Sequence, residues 1–532
     1  MKSKNDPIKP AAYQLVPLTK LLTNGMRSVL ICDGVGVGKT ISAAYAIVHF
    51  LTTSPKPCAV VCPPALLPKW MGELKSKFEL VALPVRSSED LITAKEEAEK
   101  GRSQNVYVIS NSLVIGTSSD QYPELSLVIF DEIHNYRNNE TQTHKGALEV
   151  AKAAHWRIGL TATPINNSLN DLASELHLLL PEYGWETIQA AIEDLWRSAR
   201  EKLTNALVTR FLKERLGVHF AARVVTWRRV AYPESYAAKV RVLVNSLQVS
   251  PQTSFDAITY FRLAASSPAA FSKATAVPER LVLDDPKLEA LREALSDPSI
   301  EHWLVFCEFK ETVEYLASEI TGRQVFTMTG ETPMFEREST LDAFSKTPNS
   351  VLIMTSVGSE GLDMQFSQGI VNYDLHWNPM KLEQRIGRID RLGQKKPWIG
   401  IVNLVVQGSI DERVMSVISR KLTAISGSVF AADGILESTT EAEQLYDSSA
   451  LSEELNESER LVRVLDNNSP IENKDYAVLK AINIKYCRPE MLRRAARRRS
   501  IDWIASGKSA KRWLNKVRSD GQRVLELLSY FS

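Results

Sequence analysis

The sequence has no apolar run near the ~18–20 residues that a membrane span requires, so no spanning segment is expected. Its start, Met1-Lys2-Ser3-Lys4-Asn5-Asp6-Pro7, has no apolar centre and no small-residue cleavage site, which argues against a signal peptide. Cysteine is scarce. The five present are Cys32, Cys58, Cys62, Cys307 and Cys487, and only Cys58 and Cys62 are near neighbours, inside an apolar run. No zinc or disulfide framework fits that spacing, and reduced, buried thiols in a cytoplasmic protein are the expectation. Charge of one sign is not in excess: 64 Lys+Arg against 63 Asp+Glu leave a net charge of +1. Whole-chain charge therefore names no partner, and any nucleic-acid surface must be a local patch. No internal repeat or low-complexity block stands out. Hydrophobic residues at 44% and charged residues at 24% exclude a disordered chain, a collagen-like repeat and a coiled-coil rod. At roughly 100–200 residues per domain, 532 residues predict three or four domains.

What is present is a repeated alternation. Ser28–Cys32, Cys58–Cys62, Val106–Ser110 and Leu127–Phe130 are short, continuous apolar runs separated by helical stretches. Such runs predict buried strands of a parallel sheet in an α/β unit. From about Pro181 the texture becomes helical through Tyr183–Arg229, with one further strand expected at Lys239–Val244 and helices again over Pro251–Phe271. The alternation then restarts at Trp303–Cys307, Val325–Met328, Val351–Thr355, Gly369–Tyr373 and Ile401–Val406. The tail from about Asp411 reads as helical. Within it 433–475 holds twelve acids against three bases, and 488–518 holds eleven bases against two acids. The expected organisation is a first lobe over 1–247 with a helical protrusion at about 182–235, a second over 248–425 with a helical insertion at about 251–275, and an extension over 426–532.

Three segments carry chemistry. After the first strand comes Asp33-Gly34-Val35-Gly36-Val37-Gly38-Lys39-Thr40, followed by a helical run. A Gly-rich turn between a buried strand and a helix N-terminus cradles phosphate with its backbone N–H groups and the helix dipole. Lys39 is expected to reach the β- and γ-phosphates, and the Thr40 hydroxyl to hold Mg²⁺. The strict Walker pattern fails only at its first position, where Asp33 replaces glycine. The second segment, Asp131-Glu132-Ile133-His134, follows the strand at Leu127–Phe130, at the edge where α/β folds bind ligands. Asp131 is the candidate Mg²⁺ ligand and Glu132 the group that orients and deprotonates the attacking water. A helix cap with a first-turn acid is the plain alternative. His134 is either a loop histidine or a coupling residue. The third segment, Leu382–Gln394, places Arg385, Arg388 and Arg391 three residues apart on one face of an expected helix. Like charges so placed repel, so the stripe needs an anionic partner or a set of acids. It reads either as a salt-bridge network or as arginine fingers that complete a nucleotide site.

Taken together these segments resemble superfamily 2 nucleic-acid motors of the Swi2/Snf2 type, with a nearer likeness to bacterial forms related to the RNA-polymerase-associated RapA proteins. Tyr13-Gln14 resembles the Q-motif, Asp33–Thr40 motif I, Cys62–Trp70 motif Ia and Ser110-Asn111 motif Ib. Asp131–His134 resembles motif II, Gly159–Pro164 motif III, Leu304–Phe309 motif IV and Thr355–Phe366 motif V. Tyr373–Pro379 leading into Gln384–Gln394 is the most family-specific stretch. One departure is Gly34, which stands where the family carries an acid. The likeness spans about 12–422 and omits the N-terminal domains with which RapA proteins contact polymerase, so that partner is not carried over.

The resemblance implies two RecA-like parallel-sheet lobes with helical Snf2-type insertions, and an ATPase that uses ATP and Mg²⁺. It implies nucleotide contacts from Gln14, Gly34, Gly36, Gly38, Lys39, Thr40, Asp131, Gly361 and Asp363, with Thr40 and Asp131 at the metal. Glu132, Gln384, Arg388 and Arg391 are the implied catalytic set, and His134, Thr161 and Thr163 the coupling set. Backbone contacts to one nucleic-acid strand are expected from Lys69, Ser110, Thr329, Thr355 and Ser356, and from the tail through Arg493 and Arg497, unless the tail docks on the acidic stretch before it. The implied function is translocation on double-stranded DNA and remodelling of protein–nucleic-acid complexes. Alternatives are a strand-separating DNA or RNA helicase, or the motor subunit of a bacterial defence or restriction complex. Partner proteins that supply targeting are expected, and no membrane. The implied location is the cytoplasm, on the bacterial nucleoid, or in the service of a phage or mobile element.

Overall fold

In a computed structural model of the chain, the described residues are 11–100, 105–162, 169–193, 206–211, 221–246, 254–276, 284–356, 362–376, 379–391, 393–412 and 414. They fall into two compact units that divide between Gly217 and Val218.

The first unit is built on strands β1 (Ser28–Ile31), β2 (Cys58–Cys62), β3 (Ala82–Val85), β4 (Val106–Ser110), β5 (Leu125–Asp131), β6 (Ala154–Leu160) and β7 (Val208–Thr209). All pairings are parallel, in the order β3-β4-β2-β5-β6-β1-β7. Its helices are α1 (Ala12–Thr23), α2 (Lys39–Thr53), α3 (Leu67–Phe78), α4 (Ser88–Glu99), α5 (Gln142–Lys152), α6 (Leu169–Leu179) and α7 (Trp185–Glu193). Strands β1, β2 and β4 are buried at every position. Successive side chains point to opposite faces, so full burial requires cover on both, which is why these strands read as unbroken apolar runs. Because every strand runs the same way, residues that follow strand ends share one edge of the sheet, and the sequence motifs gather there.

The second unit has six parallel strands, β8 (Ala222–Val230), β9 (His302–Cys307), β10 (Gln324–Met328), β11 (Ser350–Thr355), β12 (Gly369–Asn372) and β13 (Trp398–Val406), in the order β10-β11-β9-β12-β13-β8. Its helices are α8 (Glu234–Ser246), α9 (Ser254–Ser266), α10 (Pro268–Thr275), α11 (Pro286–Leu295), α12 (Lys310–Glu319), α13 (Met334–Lys346) and α14 (Pro379–Ile386). Helices α8 to α10 bury a small core of their own through Tyr236, Val240, Val244, Leu263 and Phe271.

Two expectations are corrected. Lys239–Val244 forms part of α8 and no strand. Val240 and Val244, four residues apart, are buried while Val242 is 67% exposed, so the run obeys a helical period despite its β-branched content. The stretch expected to be helical as far as Arg229 instead ends in β8, which pairs in register with β13 from Ala222↔Trp398 to Val230↔Val406. Strand β8 thus belongs to the second sheet, and the boundary between units lies near residue 217 and not at 247. Strands β3 and β6 were not anticipated, since Ala82–Val85 contains proline and Ala154–Leu160 opens on polar residues. The extension over 426–532 lies outside the described residues. Among those described, no helix is long and apolar enough to cross a membrane.

Candidate active site

The phosphate turn leaves β1 and ends in α2. Gly36 and Gly38 have φ of 79° and 101°, a region that L side chains disfavour. A Cβ on Gly38 would also come within 2.9 Å of Gln14 Nε2. The turn is laced from inside. Lys39 Nζ donates to the carbonyl oxygens of Asp33 (2.9 Å) and Gly34 (3.3 Å). Burial pulls the Lys39 pKa below its usual value, while the carboxylates of Glu132, Asp33 and Asp131 oppose that shift. Thr40 sits half-buried in the first turn of α2. Gln14 is buried on α1. Its Oε1 accepts from the Ala11 amide at 3.0 Å, so the side chain caps its own helix beside the turn.

Asp131 is the last residue of β5. Its Oδ1 accepts from the Glu132 amide (3.0 Å) and its Oδ2 from the Trp70 indole (2.8 Å). Burial, then the neighbouring Glu132 charge, push the Asp131 carboxyl up to about 6. Glu132 has φ 51°, a left-handed conformation uncommon for a non-glycine residue and of the kind that concentrates at functional sites. Its Oε2 is buried, makes no hydrogen bond among the described residues, and lies 3.3 Å from His134 Nδ1. That same nitrogen is 3.4 Å from Thr161 Oγ1. The Thr161 amide in turn donates to Ile31, the end of the strand that opens the phosphate turn. Motifs I, II and III are thereby joined side by side. A hydroxyl at Thr40 and a raised, desolvated carboxylate at Asp131 are oxygen donors of the kind a hard divalent cation takes, and the donor chemistry fits Mg²⁺. Thr163 lies outside the described residues.

Lys69 precedes Trp70 on α3, and its ammonium, after the Trp70 hydrogen bond, opposes the rise of the Asp131 pKa. Ser110 is buried at the end of β4, with its hydroxyl 2.7 Å from that of Ser112.

In the second unit the arginine segment differs from expectation. Helix α14 ends at Ile386, and the chain continues in turns through Arg388 and Arg391, so the three arginines do not share a helix face. Arg385 is 2% exposed and structural. It pairs with Glu308 (2.6 Å) and donates to Asp374 O (2.7 Å), Ser356 Oγ (3.0 and 3.2 Å) and Asn372 Oδ1 (3.4 Å). Arg388 and Arg391 are half-buried. Arg388 Nη1 reaches the carbonyl of Leu362 at 3.5 Å, and Arg391 Nη1 lies 3.7 Å from Asp363 Oδ1. The motif V and VI candidates Asp363, Arg388 and Arg391 are therefore brought together, with Gln384 half-buried one turn before. Gly361 lies outside the described residues. Thr355 is buried at the end of β11, and Ser356 follows it as an acceptor for Arg385. Thr329 follows β10 and is tied into a turn with Thr332 (3.0 Å). Arg493 and Arg497 lie outside the described residues.

Two buried clamps were not anticipated. Arg223 on β8 makes bidentate contacts with Glu383 (2.9 and 3.1 Å) and bonds Asp390 (2.8 Å), gripping both ends of the motif VI segment. Lys287, fully buried on α11, pairs with Asp374 (3.0 Å) and lies 4.5 Å from the Tyr373 ring centre. The only sequence signal for Arg223 was a cation in an apolar stretch, and Lys287, among Asp284, Asp285 and Glu289, carried none.

Geometry and topology thus define a superfamily 2 ATPase, two α/β units with a phosphate turn and acidic motif on one and paired arginines on the other. The chain belongs to the Snf2 type. Residues 15–212 match the SNF2-related domain and residues 286–393 the helicase conserved C-terminal domain. It is similar to an uncharacterized ATP-dependent helicase of Bacillus subtilis, YqhH, at 24% identity over 80% of this chain and 81% of that one. It is also similar to the mouse SWI/SNF-related matrix-associated actin-dependent regulator of chromatin subfamily A member 1, at 25% identity over 77% of this chain. It spans 42% of that relative's length. Among solved structures it resembles the Sulfolobus solfataricus SWI2/SNF2 ATPase core in complex with dsDNA (18% identity, TM-score 0.35, 83% of this chain and 97% of that one). It also resembles the Pyrococcus furiosus Hef helicase domain (18%, TM-score 0.47, 76% and 97%). The matches establish the Snf2 type and do not reach the RapA-like subgroup.

Proposed function

We propose that the chain is an ATP-driven motor that translocates on double-stranded DNA and remodels protein–nucleic-acid complexes. The observation that carries this reading is the chain of contacts Glu132–His134–Thr161, which ties the candidate general base to the ends of the neighbouring strands β6 and β1 of the same sheet. A hydrolase that only cleaved nucleotide would need no such relay. A motor needs its phosphate site to respond to the polymer.

In this reading the α2 amides and Lys39 hold the phosphates. Lys39 is already poised over the turn and exchanges its two carbonyl acceptors for phosphate oxygens. Gln14 contacts adenine after releasing its cap on Ala11. Thr40 and Asp131 would hold Mg²⁺, which when bound neutralises charge on the phosphates. Glu132 takes a proton from the attacking water, its left-handed backbone fixing the carboxylate. Arg388 and Arg391 stabilise the charge of the transferring phosphoryl group, Gln384 orients the water, and Asp363 and Gly361 contact the nucleotide. Lys69 near the start of α3, with Ser110, Thr329, Thr355 and Ser356 at or just after strand ends, grip the backbone of one strand without reading sequence. The buried Ser110 contributes through its backbone. Thr163, Arg493 and Arg497 add to the relay and to the DNA surface, and partner proteins supply targeting.

Displacement of a third strand from a DNA triplex tests this directly. The motor reading expects ATP-dependent displacement that Glu132→Gln abolishes, with blunt duplex left intact. Efficient unwinding of a forked duplex without triplex displacement would assign the chain to strand-separating helicases instead.

A further inference from the structure

Arg385 is committed inside the second unit through five hydrogen bonds. Nη2 donates to Glu308 Oε1 (2.6 Å), and Nη1 to the Asp374 carbonyl (2.7 Å) and Asn372 Oδ1 (3.4 Å). These acceptors are anchored in turn. The other Glu308 oxygen pairs with Arg262 on α9 (3.1 Å). The Asp374 carboxylate accepts from Ser266 (2.7 Å), the Glu308 amide (2.9 Å) and Lys287 (3.0 Å). The guanidinium also lies over the Phe306 ring, 5.3 Å from its centre. The fork is therefore held in one pose. Its two remaining contacts, from Nε (3.2 Å) and Nη2 (3.0 Å), go to a single atom, Ser356 Oγ, one residue beyond β11. Two N–H groups of one cation face that oxygen, so the hydroxyl hydrogen is turned away from Arg385. Ser356 is half-buried, whereas Thr355 before it is buried.

We propose that Arg385 is a positioning residue for nucleic-acid binding, which fixes the Ser356 hydroxyl as a donor to a backbone phosphate oxygen of the bound strand. The inference rests on the motor reading above, which assigns Ser356 to the DNA backbone. A serine hydroxyl can donate or accept. With a guanidinium on its oxygen, donation is the role left toward a ligand, and a phosphate oxygen, which only accepts, matches it. Hydrogen bonds in a chain polarise one another, so Glu308, Arg385 and Ser356 act in series. The Arg385 charge itself stays buried beside Glu308 and serves the phosphate only through the serine.

The test is equilibrium binding of a fluorescently labelled DNA duplex to the full chain, repeated across a salt series, in a double-mutant cycle. Ser356→Ala should weaken binding about tenfold, the loss expected for a hydrogen bond to a charged group. Arg385→Met removes the fork, keeps apolar bulk, and should weaken binding by a similar factor. The double variant should be about as weak as either single one, and not weaker by the roughly hundredfold product of independent losses. All three should keep the wild-type slope of log affinity against log salt, because no cation leaves a phosphate. A guanidinium that itself touched phosphate would flatten that slope by about 0.9 when removed. Unchanged binding in Ser356→Ala, multiplying losses, or a flattened slope in Arg385→Met overturns the proposal. If Arg385→Met does not fold, Arg385→Lys decides by the same cycle: its single ammonium can keep the Glu308 pair but cannot reproduce the fork on Ser356. A wild-type chain that does not bind duplex DNA overturns the motor reading, and this inference with it, whereas a wild-type chain that binds while the cycle multiplies overturns this inference alone.

Discussion

The two units differ in how they treat most of their buried charge, although Asp390 Oδ1 in the second is also buried without a hydrogen bond among the described residues. In the second unit the buried cations are closed off by their own chain: Arg385 by Glu308 and Asp374, Arg223 by Glu383 and Asp390, Lys287 by Asp374. In the first unit the acids remain partly unsatisfied. Among the described residues, Glu132 Oε2 and Asp33 Oδ2 are buried without a hydrogen bond, as are both oxygens of Glu175 on α6. Native interiors carry few such groups, and a paired buried charge costs little compared with an unpaired one. The contrast teaches that buried charge by itself does not mark chemistry. The second unit uses it to fix the shape of the segment that presents Arg388 and Arg391. The first holds it ready for a polyanionic ligand and a cation.

Breaking the contrast at its sharpest point means removing the presented arginines. Arg388→Ala or Arg391→Ala should leave nucleotide binding nearly intact and cut hydrolysis by roughly 10³, as for loss of an arginine finger, measured by single-turnover kinetics. Normal turnover in both would place these side chains with the structural clamps. Arg385→Ala should act on the other observable. Removing the buried guanidinium takes one of its two cationic partners from Glu308, the other being Arg262, and should destabilise the protein by about 1–3 kcal/mol in denaturant titration. Glu132→Gln should slow hydrolysis by about 10², the contribution of a general base, while ATP still binds by fluorescence titration.

The effect that needs no loss of activity to be read is a pH dependence. Burial raises the Asp33 carboxyl from its usual range to about 7, against the opposing pull of Lys39, the Phe211 amide and Arg210. A carboxyl with a raised folded-state pKa contributes stability that is present below its unfolded value and lost as pH rises through the folded one. Wild-type protein should therefore lose stability relative to Asp33→Asn between about pH 4 and pH 7, read as a widening Tm difference in favour of the variant. A Tm difference that stays flat across that window would mean that the buried carboxyl titrates at its ordinary value.

Much of this was legible in sequence because the strands are short and buried on both faces. Cys58–Cys62 and Val106–Ser110 have the bounds that their apolar runs suggest, and the Gly-Lys-Thr and Asp-Glu motifs fall at strand ends as parallel topology requires. The failures have one cause. Local composition cannot see a long-range partner. Strand β8 is rich in Arg and Trp and alternates exposed with half-buried positions, and only its register with β13 makes it a strand. Arg385 has the same spacing as Arg388 and Arg391, and Glu308, 77 residues away, makes it structural. The buried Asp33 carboxyl has its acceptor role toward the Phe211 amide, 178 residues away.

The central claim is that the first unit's acidic edge performs hydrolysis in response to a polymer, and steady-state ATPase activity with and without duplex DNA tests it most directly. The account predicts turnover that duplex DNA stimulates strongly, with little dependence on its sequence and a stimulation that weakens steeply with salt, since the contacts are to phosphates. Turnover that is identical with and without DNA, or absent under both conditions, would contradict it.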